Sequence, residues 1–171
     1  MALNFGLYGS NINAPILSDL GSEKSQIVNY IDESSKGLAF SNTIASTTSE
    51  TEVIMRQFII GADAAKQTGV VVVIASLKVQ TLNQGGRGNF RLRVGTAGTT
   101  SDSQVGGTIT LASFEATGTA DPIVGGSMVF TLTEGVDYNS SGQWYISITG
   151  VAETTASLAT ISVESATILG A

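Results

Sequence analysis

The 171-residue chain contains no cysteine and no histidine. Without cysteine there is no disulfide framework, no thiolate nucleophile and no cysteine-ligated metal. Without histidine the side chain most often used as general base and metal ligand is missing. Charged residues make up only 13% of the chain, about half the share of an average soluble domain. A monomer keeps itself in solution with surface charge, so this scarcity points to a surface partly hidden in an assembly. No apolar run approaches the roughly 18 residues that a membrane-crossing helix needs, the longest being residues 70–75. No basic N-terminal stretch precedes a long apolar run, so neither a membrane partner nor a secretory leader is expected.

The charge that is present is unevenly placed. The net charge is −6, and no lysine or arginine follows Arg93. Asp102, Glu115, Asp121, Glu134, Asp137, Glu153 and Glu164 all do, so residues 94–171 carry −7 and residues 1–93 carry +1. An acidic half repels phosphate backbones and argues against nucleic acid as a partner. It suits a basic partner, or simply solvation.

Serine and threonine supply the polarity that charge does not, which favours strands and turns over helices. In residues 89–94, Asn-Phe-Arg-Leu-Arg-Val, the even positions are apolar and the odd ones polar. That alternation marks a strand with one wet and one dry face. Residues 70–74, Val-Val-Val-Val-Ile, do not alternate, and a strand apolar on both faces must bury both. If Val71, Val73 and Ala75 face a core, Val70, Val72 and Ile74 face outward and need cover. A second copy of the chain, or its own N-terminal segment, could supply it.

Strands are predicted over residues 38–45, 52–60, 70–81, 89–94, 108–114, 127–133, 143–149 and 157–168. Residues 85–88, 106–107, 125–126 and 139–142 carry the glycine and asparagine that turns demand, and residues 96–106 read as a long exposed loop. Eight short strands so spaced predict an all-β, jelly-roll-like antiparallel sandwich over residues 37–171, with an immunoglobulin-like sandwich as the alternative. Residues 1–36 are too apolar for a solvated tail and too unpatterned for a core. They read as an extended arm lying on another surface or on its own domain, with Leu3, Phe5, Leu7, Tyr8, Ile16 and Leu17 as its contact residues. Residues 22–31 fit a short helix capped by Ser22, or a strand.

Sites for chemistry are few. Glu50 and Glu52 lie two apart, about 7 Å along an extended chain, which a glycosidase pair could use; the plainer reading is two solvated acids. Asp137 and Asn139 offer oxygens but no calcium-loop pattern, so no metal and no cofactor is expected. Gly85–Gly86–Arg87–Gly88 has the composition of an RNA-binding segment, yet one copy between two strands reads as a turn. Arg91 and Arg93 share the wet side of their strand, free to pair with carboxylates across a subunit boundary or to solvate that face.

Residues 47–95 resemble the jelly-roll modules of tailed-bacteriophage virion proteins, which include capsid decoration (cement) proteins, head fibres and tail-fibre domains. The resemblance rests on the lead Thr48-Ser49-Glu50-Thr51-Glu52, the strand end Phe58-Ile59-Ile60 and the small-residue loop after it. The long apolar strand and Gly88-Asn89-Phe90-Arg91-Leu92-Arg93-Val94-Gly95 complete it. Such modules often have proline after the first strand, where this chain has Gly61. The resemblance implies a non-enzymatic homotrimer on the capsid surface of a virion, made in the bacterial cytoplasm and bound to the major capsid protein. The arm would be the anchor and Val70, Val72 and Ile74 the trimer interface. The alternative it implies is a head-fibre or tail-fibre module binding host-surface glycans, with Tyr138, Trp144 and Tyr145 available to stack on sugars.

Overall fold

A computed structural model describes residues 38–40, 46–60, 69–80, 86–113, 123–139, 141–153 and 159–170. The arm, with its six contact residues, and the segment 22–31 lie outside the described residues. Every regular element among those described is a strand: β1 (Leu38–Phe40), β2 (Ser46–Thr47), β3 (Val53–Ile60), β4 (Val70–Gln80), β5 (Gly86–Gly95), β6 (Ser103–Ser113), β7 (Ile123–Thr133), β8 (Trp144–Glu153) and β9 (Thr160–Gly170). They form two sheets, ordered β1-β3-β8-β5-β6 and β2-β9-β4-β7, with every pairing antiparallel.

With β1 set aside as an edge addition, each sheet holds four of the eight strands β2 to β9, in the double Greek-key order of a jelly roll. The immunoglobulin alternative pairs its first two strands in one sheet, whereas β2 and β3 here belong to different sheets. Of the strand expected over residues 38–45, β1 covers residues 38–40, and residues 41–45 lie outside the described residues. β1 pairs with β3 and β2 with β9, so the chain changes sheets between them.

The valine-rich β4 is the axis of its sheet, paired along its length with β7 on one side and β9 on the other. Val71, Val73, Ala75, Leu77 and Val79 point inward and are buried. They meet Phe90, Leu92 and Val94 of β5 and Ile146 and Ile148 of β8 in one core. The sheets approach closely around Ile161 of β9. A Cβ at Gly150 would lie 2.7 Å from Ile161 Cδ1, and one at Gly88 would lie 2.5 Å from Ile161 Cγ2. Two glycines on neighbouring strands thus make the hollow that one isoleucine fills.

This packing corrects three of the expected turns. Gly86 and Gly88 lie within β5, Gly106 and Gly107 within β6, and Gly125 and Gly126 within β7. Gly88 and Gly126 are small because a side chain from the facing sheet occupies the space, Ile161 and Leu111 respectively. Gly106, at φ +68°, sits where β6 inserts extra residues opposite Arg91, a bulge that increases the local twist. At the fourth, residues 139 and 141–142 lie outside any strand, with Gly142 at φ +88°.

Candidate functional site

Three surfaces bear groups that can act on a partner: the outer face of each sheet and a cleft at one end of the sandwich. On the outer face of the five-stranded sheet, Glu52 is the hub. Its carboxylate accepts from Arg93 Nε at 2.6 Å and Nη2 at 2.8 Å, from Thr149 Oγ1 at 2.6 Å and from Arg91 Nη1 at 3.3 Å. The hydrogen bonds from Arg93 and Thr149, with the charges of both arginines, outweigh desolvation and hold this carboxyl below its usual range. The same contact raises the Arg93 pKa. Arg91 and Arg93 therefore pair within the chain rather than across a boundary. Glu52 is consumed as a structural acceptor, and the chain around Glu50 is a bend, so the pair does not project from a common strand as expected.

Ser147 and Thr149 also point outward from β8 yet are fully buried, because long side chains and a turn cover them. Gln57 Nε2 donates to Ser147 Oγ at 2.9 Å and to the Gly98 carbonyl at 3.1 Å, which ties the β5–β6 turn onto the sheet. Asp102 closes that turn: its carboxylate accepts from the Ala97 and Thr99 amides, and its own amide donates to the Thr99 carbonyl. Gly98, at φ +68°, lies against the Tyr145 ring, where a Cβ would come within 2.9 Å. The long loop expected over residues 96–106 is thus a short turn, 96–102, built by specific contacts.

Asp137 and Asn139, considered as calcium ligands, serve turns instead. Asp137 Oδ2 accepts from the Thr133 amide at 2.8 Å, and Asn139 Oδ1 accepts from the Ser141 amide and hydroxyl. Among the described residues no three acidic groups gather as a metal site would require. Of the three aromatic residues considered for sugar stacking, Tyr138 is buried in the core at 2% exposure and is ruled out. Tyr145 is half-buried beside Gly98.

Trp144 lines a cleft. This opening of about 580 Å³ lies at the end of the sandwich, between the β5–β6 turn and the β7–β8 turn. One side of the indole packs on the core, and Nε1 donates to the Ser141 carbonyl at 3.4 Å. Val94 and Val105 add apolar floor; Thr96, Ser103 and Asp137 add polar wall. The sequence offered Trp144 as a candidate, but the lining residues of β5, β6 and the turn between them are 39 to 50 positions away and no local signal connects them.

On the outer face of the four-stranded sheet, Val70 and Val72 are half-buried and Ile74 is 39% exposed, all three pointing away from the core as expected. Two apolar neighbours went unnoticed in the sequence. Val129, 62% exposed, is the cross-strand partner of Ile74, and Leu169 is the partner of Val72. Their signal was parity: each is apolar at a position where its strand's alternation puts a wet side chain. Towards the far end of the same face the Lys78–Glu164 ion pair, 3.1 Å, makes the surface polar.

No protein-family model matches the chain, and comparison with curated proteins gives no match.

Proposed function

We propose that this chain is a non-enzymatic structural protein of a tailed-phage virion, a decoration or cement protein that trimerises and lies across the joints between capsid subunits. Its action is added contact area: each copy bridges major capsid protein subunits through its N-terminal arm and is held to its neighbours through the four-stranded sheet. The observation that carries this reading is the apolar strip of Val70, Val72 and Ile74 with Val129 and Leu169 beside it. Covering what Ile74 and Val129 still expose contributes roughly 0.5–2 kcal/mol for each side chain. Repeated on three copies, that opposes the entropy lost on association. The charge-poor composition and the resemblance to virion jelly rolls support the same role.

The test is mass in solution followed by particle binding. Light scattering is expected to give three times the 17.6 kDa chain mass, and the double variant Ile74→Lys, Val129→Lys a folded monomer. Deleting residues 1–20 is expected to leave the trimer intact while abolishing co-sedimentation with undecorated phage capsids. A monomeric wild type, or a truncated chain that still coats capsids, refutes the reading. The second reading is a fibre or receptor-binding module, and the observation that favours it is the Trp144 cleft.

A further inference from the structure

The end cleft has a chemistry of its own. Its lining contains no lysine or arginine, and the closest guanidinium in sequence, that of Arg93, is engaged by Glu52 and by the Asp102 carbonyl. Phosphate, sulfate and carboxylate ligands would therefore meet acceptors and no counter-charge. A strongly cationic ligand is poorly served as well. Asp102, though it lines the cleft, is 8% exposed and both its oxygens are taken by backbone amides. That leaves Asp137 Oδ1 as the carboxylate oxygen without a partner among the described residues. The other polar wall groups are uncharged, and the hydroxyls of Thr96 and Ser103 bond to nothing else among the described residues.

What remains is a fixed, half-buried indole beside one acceptor carboxylate and two free hydroxyls, in a volume within the roughly 300–1,000 Å³ of small-molecule sites. A ligand suits it if one face is made of C–H groups and its rim of hydroxyls. A pyranose ring has both. Its C–H face stacks on an aromatic ring, and its hydroxyls donate to the carboxylate and exchange bonds with serine and threonine. Both walls are built before any ligand arrives. The β5–β6 turn is held by Asp102 and by Gln57; the β7–β8 turn is held by Val136 and Asp137 amides donating to the Thr133 carbonyl and by the Gly135 amide donating to the Tyr138 carbonyl. Little order has to be imposed on binding.

We infer that the cleft between the β5–β6 and β7–β8 turns is a binding site for a short neutral glycan, stacked on Trp144 and hydrogen-bonded to Asp137, Ser103 and Thr96. The site rests on the second, receptor-binding reading and names its ligand class, and it lies within the single folded chain, so its failure leaves the assembly role untouched.

The experiment uses the full chain on an array of neutral and anionic oligosaccharides, followed by titration of the best neutral hit. Trp144 is the only tryptophan, so intrinsic fluorescence reports this site directly. A saturable fluorescence change with a neutral glycan is expected. Asp137→Asn, which keeps an acceptor for the Thr133 amide, is expected to weaken binding about tenfold. Ser103→Ala gives a second variant, away from the core, expected to weaken it several-fold. Absence of any neutral hit at millimolar sugar, preference for anionic glycans, or a neutral hit that leaves the fluorescence and both variants' affinities unchanged overturns the proposal. A lysine-rich peptide that binds while no glycan does overturns it in favour of a basic protein partner.

Discussion

The fit of Ile161 into the hollow of Gly88 and Gly150 gives a test of whether the two sheets pack as described. A methyl at Gly150 would lie 2.7 Å from Ile161 Cδ1, well inside van der Waals contact, and would also collide with Met55 Sδ. Gly150→Ala overfills a packed core, for which about 1–3 kcal/mol is typical. Met55 is flexible and can give way; Ile161, fully buried and β-branched, has less room. Ile161→Val removes only Cδ1 and alone costs about 0.5–1.5 kcal/mol. In the double variant the missing Cδ1 makes room for the new methyl. The combined loss is expected to fall short of the sum by about 0.5 kcal/mol or more, the scale of coupling between residues in contact. Urea unfolding of the four proteins at one fixed concentration, which keeps any association term constant, closes the cycle. Strict additivity would show that Ile161 and Gly150 do not share this space.

Glu52 predicts an acid-sensitive contribution to stability. Its pKa is lowered in the folded state, chiefly by the hydrogen bond from Arg93, so the unfolded chain takes up its proton first. The stabilisation is complete above the unfolded carboxylate value of about 4.3 and is lost as pH falls through the lower folded value. The stability gap between wild type and Glu52→Gln is therefore expected to shrink between about pH 6 and pH 3; a gap that stays constant would mean the carboxylate is not held by charge. Gly98→Ala, at φ +68° and against Tyr145, is expected to cost at least about 1 kcal/mol. Gly69→Ala, with open space around it, is expected to stay within about 0.5 kcal/mol. Equal thermal shifts for the two would remove the special status of the β5–β6 turn.

How far such features could be read in advance depends on how local their cause is. The strands at residues 53–60 and 70–80 were legible because apolar residues and alternation act over neighbouring positions. The ends of β5, β6 and β7 were not: glycine reads locally as a turn, and only the facing sheet shows that Gly88 and Gly126 are small to admit Ile161 and Leu111. The cleft was legible in Trp144 alone. Tyr138, an equal candidate in the sequence, was taken by the core.

The order of residues alone settled that the sandwich is built of strands and which side chains of β5 turn inward, because a strand's two faces alternate with a period of two whatever it pairs with. Tertiary structure decided the partners. Glu52 meets Arg93 across 41 positions and Gln57 meets Ser147 across 90, and Val129 comes to lie beside Ile74 through the pairing of β4 with β7. Contacts at such distances follow from sheet order and register, which the two-residue period constrains to a face but not to a neighbour.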